Sequence, residues 1–190
     1  LALHYLTNGD AVTLMDLGDL PSQYPTLSES FGARHTYVVS EPTYLGTEID
    51  FEADGHPSTD ADGDDTSYTV NDEDGIEINP LYLWNPGATV WLTATVTGDN
   101  GYLVGWFDWN EDGDLNDVGE QIDFGTLSSG TNRISLTVPT TITEEYTLYA
   151  RFRLYDTRPG LFPTELNPTG EALGGEVEDY VWDDLPTLVV

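Results

Sequence analysis

The sequence predicts an all-β fold: an antiparallel β-sandwich, jelly-roll or Ig-like, with long acidic loops between its strands. Two observations predict it. The apolar residues come in short alternating runs bounded by Gly, Pro, Asn or Asp, and each run is rich in β-branched or aromatic side chains. No window long enough for a helix carries an apolar stripe at helical spacing. A third bounds the size: 190 residues with 38% hydrophobic content can bury one sizeable core, as one domain or two closely packed ones.

The runs fall in order along the chain. Tyr37-Val38-Val39 is strand-like, and Ala88–Val96, Tyr102–Phe107, Arg133–Val138 and Thr147–Leu154 are the clearest strands. In the last, Leu148, Ala150, Phe152 and Leu154 share one face, and Tyr149, Arg151, Arg153 and Tyr155 the other. Gln121–Phe124 also reads as a strand, and Tyr180 and Trp182 alternate with Val181 in a final one. Turn signals between the strands of residues 82–155 fit a sandwich. Residues 50–75 differ: they hold little that could form a core and many carboxylates, so an ordered conformation there needs bound ions. The ends, Leu1–Leu6 and Leu185–Val190, are apolar, suited to folding back on the sheet or to completing a neighbour's. The expected organisation is an N-terminal strand or assembly extension over 1–15, a β domain over 16–182 and a C-terminal extension over 183–190.

The charge balance excludes several partners. Thirty-five acidic side chains stand against five basic ones, a formal charge of −30. All five are arginines: Arg34, Arg133, Arg151, Arg153 and Arg158. Such a chain repels nucleic-acid phosphates and anionic membranes, so neither is expected as a partner. It also repels itself, so its compact state calls for cations or high ionic strength. A calcium-containing extracellular medium and a salt-rich milieu both fit. The chain has no cysteine, which suits a reducing compartment or an extracellular domain stapled by metal. No run approaches the about 18 apolar residues of a membrane span. Leu1 is not an initiator and no signal peptide is visible, so a processed or excerpted chain is expected.

The sharpest local pattern is Asp108-Trp109-Asn110-Glu111-Asp112-Gly113-Asp114-Leu115-Asn116-Asp117-Val118-Gly119-Glu120. Oxygen-bearing side chains at alternate positions, Asp108, Asn110, Asp112, Asp114 and Asn116, with Gly113 at the turn, converge on one hard cation. The pattern resembles an EF-hand calcium loop and then departs from it. The closing glutamate would fall at Gly119, Glu120 is one residue late, and the flanks read as strands. A second cluster is Asp50, Glu52 and Asp54, whose spacing by two puts three like charges on one face unless a cation lies between them. Asp60, Asp62, Asp64 and Asp65 form a third, and Asp72 and Asp74 belong to a fourth. Crowded carboxylate loops suit calcium better than magnesium, and His4, His35 and His56 lack the spacing of a zinc site. Near the end, Glu176, Glu178 and Asp179 lie in Gly175-Glu176-Val177-Glu178-Asp179-Tyr180, with Arg151 and Arg153 as the expected counter-charges of the glutamates. Arg34-His35 beside a strand points to internal ion pairs and hydrogen bonds, not to catalysis.

Taken in order, Leu17-Gly18-Asp19-Leu20-Pro21, Ala33-Arg34-His35, Tyr44-Leu45-Gly46, Asp50–Gly55, Gly63-Asp64-Asp65, Asp72–Gly75, Asp108–Asp114, Gly119-Glu120, Ala150–Arg153, Gly170-Glu171-Ala172 and Gly175–Tyr180 resemble the GEVED domain family. The resemblance spans residues 16–182. It implies a β-rich extracellular module of large secreted or surface-attached microbial proteins, often adhesin-like, without enzymatic activity. It carries an acidic set onto Asp50, Glu52, Asp54, Asp64, Asp65, Asp72, Asp74, Asp108, Asn110, Asp112, Asp114, Glu120, Glu176, Glu178 and Asp179. Members typically place an aromatic residue before the first glycine and an alanine before the proline, where this chain has Leu17 and Leu20.

The expectation is a calcium-binding, calcium-stabilised structural or adhesive module of an extracellular surface protein. Its partners are other surface domains, or copies of itself added strand by strand into a filament. Two alternatives stay open. One is calcium-dependent carbohydrate binding through an aromatic platform of Tyr82, Trp84, Trp91, Tyr102, Trp109 and Tyr155. The other is glycoside hydrolysis by paired carboxylates, against which stands the fact that almost every acid already sits in a metal-like cluster.

Overall fold

The computed structural model describes residues 14–37, 42–63, 71–142, 146–157, 166–183 and 185–187. Among them are eleven strands and one 3-10 turn, Ser28–Ser30, and no helix long and apolar enough to cross a membrane. The strands are β1 (Leu14–Leu17), β2 (Arg34–Tyr37), β3 (Tyr44–Leu45), β4 (Ile76–Ile78), β5 (Thr89–Thr97), β6 (Gly101–Phe107), β7 (Gln121–Leu127), β8 (Gly130–Thr137), β9 (Leu148–Tyr155), β10 (Glu171–Leu173) and β11 (Glu176–Trp182). The fold is all-β, and its long strands fall where the alternating runs predict them.

Two antiparallel sheets make the sandwich. One runs β11-β9-β6-β7. The other is built on β5, which pairs with β8 along its length and with the short β3 and β4. Val90, Leu92, Ala94 and Val96 of β5 meet Leu103 and Phe107 of β6 and Leu148, Ala150, Phe152 and Leu154 of β9 in the main core. These residues repeat every second position, which puts them on one face of each strand.

The first of these sheets is covered on its other face as well, and so β6 is buried at every residue and its run shows no polar alternation. Tyr102, Val104 and Trp106 of β6 and Tyr155 of β9 pack there against Leu20, Tyr24 and Ala61 of the N-terminal segment. A third sheet, β1-β2-β10, belongs to this layer. Its β2–β10 pairing is parallel, unlike the all-antiparallel arrangement the sequence predicts.

The acidic stretch 50–63 is ordered by main-chain bonds to its neighbours. The amide of Glu52 donates to the Met15 carbonyl (2.9 Å) and that of Ser58 to the Asp19 carbonyl (3.0 Å). At the other end, the Trp84 amide donates to the Pro186 carbonyl at 2.7 Å, and Leu185 packs against the main core. The C-terminal stretch through Thr187 therefore folds back on its own sandwich. Leu1–Leu6 and Leu188–Val190, the ends expected to suit strand addition, lie outside the described residues, as do Asp64 and Asp65.

Candidate metal centres

The 108–120 loop leaves β6 and returns as β7. Its turn is built from alternate polar side chains, each accepting a main-chain amide two to five residues on. Asp108 accepts from Asp112 (3.2 Å) and Gly113 (3.0 Å), Asp112 from Asp114 (3.2 Å), and Asp114 from Asn116 (2.8 Å). Gly113 has φ +87°, a conformation that side chains resist. Tyr24 donates to Asp108 at 2.6 Å, tying the loop to the N-terminal layer.

Carboxylate oxygens of Asp108, Asp112 and Glu120 come within 4.8 Å of one another. Asp108 and Glu120 are buried, and Oε1 of Glu120 has no hydrogen-bond partner among the described residues. Its other oxygen accepts the Asp117 amide at 2.9 Å. Burial first, and then the charges of Asp108, Asp117 and Asp112, push the Glu120 carboxyl up to about 7. Glu120 thus turns back into the loop although it comes one residue late. Asn110 lies at the exposed rim, its amide donating to Asp112 and Asp117 at 3.0 Å each. Asp114 is not part of the carboxylate group.

A larger acidic junction lies where β1, the 50–52 segment, the 72–75 segment and β11 meet. It holds two groups, Asp16–Asp72–Glu176 and Asp50–Glu52–Asp72, each with carboxylate oxygens within 4.8 Å of one another. All five residues are buried. Two carboxylates at that distance repel by roughly 3–4 kcal/mol at an effective dielectric constant of about 20. Both oxygens of Asp50 and Oε1 of Glu176 have no hydrogen-bond partner among the described residues. Dehydrated carboxylate oxygens facing one another fit a hard cation, which replaces repulsion with coordination. Asp16 was not legible as a member of this set. A lone aspartate within Leu14-Met15-Asp16-Leu17 carries no spacing signal, and only its place among apolar strand residues sets it apart.

The closing motif corrects one expectation. In the β9–β11 register, Asp179 stands opposite Arg151 and Val177 opposite Arg153, while Glu176 and Glu178 face Leu154 and Phe152 on the main-core side. The two glutamates therefore do not meet the arginines. The Arg151 fork binds both oxygens of Asp179 at 2.7 Å, with both side chains fully buried, and Leu20 donates to the same carboxylate at 2.9 Å. Arg153 donates to His35 and to the carbonyls of Asn167, Thr169, Arg34 and Gly170, which uses all its N–H groups. Glu178 instead accepts from the Gly75 amide (2.7 Å) and the Tyr180 hydroxyl (3.0 Å), and Glu176 from the Leu45 amide. Glu178 thus holds the entry to β4 and Glu176 the end of β3. Burial first, with neighbouring carboxylates adding to it, keeps both carboxyls well above the ordinary range.

The other predicted residues serve local turns. Asp54 accepts the Ser28 amide (2.7 Å), Asp62 the Ser58 hydroxyl (2.9 Å), and Asp74 the Thr47 amide (2.9 Å); Asp60 is exposed. The aromatic platform is mostly interior. Trp84, Tyr102, Trp109 and Tyr155 are buried. Only Tyr82 and Trp91 are partly open, and the Arg133 guanidinium lies 3.9 Å above the Trp91 ring.

Fold and site together define a β-rich module with buried acidic groups able to hold metal ions. Residues 102–182, from β6 through β11, match the family model of the GEVED domain. The match takes in the 108–120 loop and the closing Glu176–Tyr180 motif; the residues that carry the resemblance before β6 lie outside it. No curated protein and no solved structure matches the chain.

Proposed function

We propose that this chain is a calcium-binding, calcium-stabilised structural or adhesive module of an extracellular surface protein. The observation that carries the reading is the loop at 108–120. Three carboxylates from a local, alternately spaced segment converge there, and a buried Glu120 oxygen has no hydrogen-bond partner among the described residues. Calcium accepts this arrangement because it takes about six to eight oxygen ligands in loose geometry. Extracellular modules commonly bind it at about 10⁻⁴–10⁻³ M. The formal charge of −30 supports the same reading, since each bound ion relieves self-repulsion.

Binding to the native state alone stabilises it by linkage, about 2.7 kcal/mol for a site at about 100 times its Kd. For a chain of this size that corresponds to roughly 5–10 °C in Tm. The test is thermal unfolding of the full chain in millimolar calcium, in magnesium at equal ionic strength, and after exhaustive chelation. A rise specific to calcium is expected. Coincident curves in all three media would sink the reading.

A further inference from the structure

We propose that Asp16, Asp50, Glu52, Asp72 and Glu176 form a buried two-cation centre in which the Asp72 carboxylate bridges the ions. Only the identity of the ion rests on the calcium reading above. Asp72 is common to both groups, Asp16–Asp72–Glu176 and Asp50–Glu52–Asp72, and within each group the ligand oxygens lie no more than 4.8 Å apart. A carboxylate that offers one oxygen to each of two ions satisfies both groups at once.

Independent observations point to ligands there. Asp50 is nine-tenths buried, with neither oxygen hydrogen-bonded among the described residues. Glu176 is fully buried, its Oε1 without such a partner while its other oxygen takes the Leu45 amide. The buried arginines make their hydrogen bonds elsewhere. Arg151 is committed to Asp179, Pro25 and Pro168, and Arg153 to His35 and four carbonyls. Two groups favour two ions over one, since each gathers its own ligand oxygens within 4.8 Å.

The centre would join parts of the chain far apart in sequence. Asp16 lies in β1, Asp50 and Glu52 in the first acidic segment, Asp72 before β4, and Glu176 opens β11. The Val177 amide already donates to Asp16 at 2.6 Å, and the Leu17 amide to Glu52 at 3.1 Å, so the main chain is held around the carboxylates.

The test is a count of calcium ions per chain by native mass spectrometry on the full chain, wild type and variants. One ion for each of the three acidic groups is expected in the wild type. Asp72→Asn should remove two together, Asp50→Asn and Glu176→Gln one each, and Glu120→Gln only the loop ion. A wild type whose sole ion is lost in Glu120→Gln would overturn the two-cation centre and leave the calcium reading standing. A wild type that binds no calcium would overturn both, and a single ion lost in Asp72→Asn would overturn the bridge. Should Asp72→Asn fail to fold, manganese-loaded wild type keeps the question open to measurement by electron paramagnetic resonance. A spin-coupled pair is expected, and signals of isolated ions alone would overturn the proposal.

Discussion

The Nε–H of Arg153 donates to Nε2 of His35 at 3.0 Å, and Nδ1 of the same ring lies 2.6 Å from the Gly174 carbonyl. The ring therefore accepts on Nε2 and donates from Nδ1, which makes it the neutral Nδ1–H tautomer. Burial, and then the Arg153 charge, hold its pKa well below the ordinary value of 6.5. The unfolded chain takes up a proton below that pH while the folded chain does not, so stability falls as pH drops from 6.5. The loss attributable to His35 should approach 1.4 kcal/mol per pH unit. Urea unfolding in saturating calcium between pH 7.5 and 5 measures it. His35→Gln, which keeps a donor and an acceptor but does not titrate, should show a flatter profile by that amount.

Arg151 and Asp179 form a bidentate pair with no exposure on either side. Arg151→Met leaves the carboxylate buried without its counter-charge and should cost about 3–5 kcal/mol in denaturant unfolding. Adding Asp179→Leu should recover part of that loss, because it removes the orphaned charge. Equal stabilities for the wild type and Arg151→Met would contradict the fully buried pair.

Glu120 is, with Asp108, one of the two buried members of the loop group, and Asp114 lies outside it. Glu120→Gln should weaken calcium binding at the loop at least about tenfold, a difference of about 1.4 kcal/mol. Asp114→Asn should change it less. Isothermal titration of both variants against wild type decides, and a larger effect at Asp114 would reverse the assignment of ligands.

Gly175 immediately precedes β11, with φ +92°. A Cβ there would sit 1.9 Å from the Leu154 carbonyl oxygen and 2.9 Å from His35 Nδ1. Gly175→Ala should therefore destabilise by more than about 2 kcal/mol, since strain in φ and a main-chain clash act together. The midpoint of chemical unfolding reports it, and a shift within experimental error would exclude the clash.

The long strands were legible in the sequence because their signal is local. Alternation over β5 and β9 states which side chains share a face, and the structure places them so. The short β1, β3, β4 and β10 carry two to four residues each, too few for a period to emerge. The same division runs through the site. The 108–120 loop was readable because spacing within one segment sets its geometry. The junction at Asp72 was not, because its carboxylates come from four separate segments and only the three-dimensional fold brings them together. The arginine face of β9 was legible, but its partner was not: register alone decides that Asp179, and not Glu176 or Glu178, stands beside Arg151.

The bonds between Val177 and Asp16 and between Leu20 and Asp179 span 161 and 159 positions of the chain. Contacts of such separation close the largest loops and form late, after the entropy of ordering the intervening residues has been met. A nascent chain can pair β1 with the nearby β2, but cannot seat it against β11 until residues 177–179 have emerged. Until then neither bond can form, and β11 acts as a latch that ties the closing motif to the N-terminal layer.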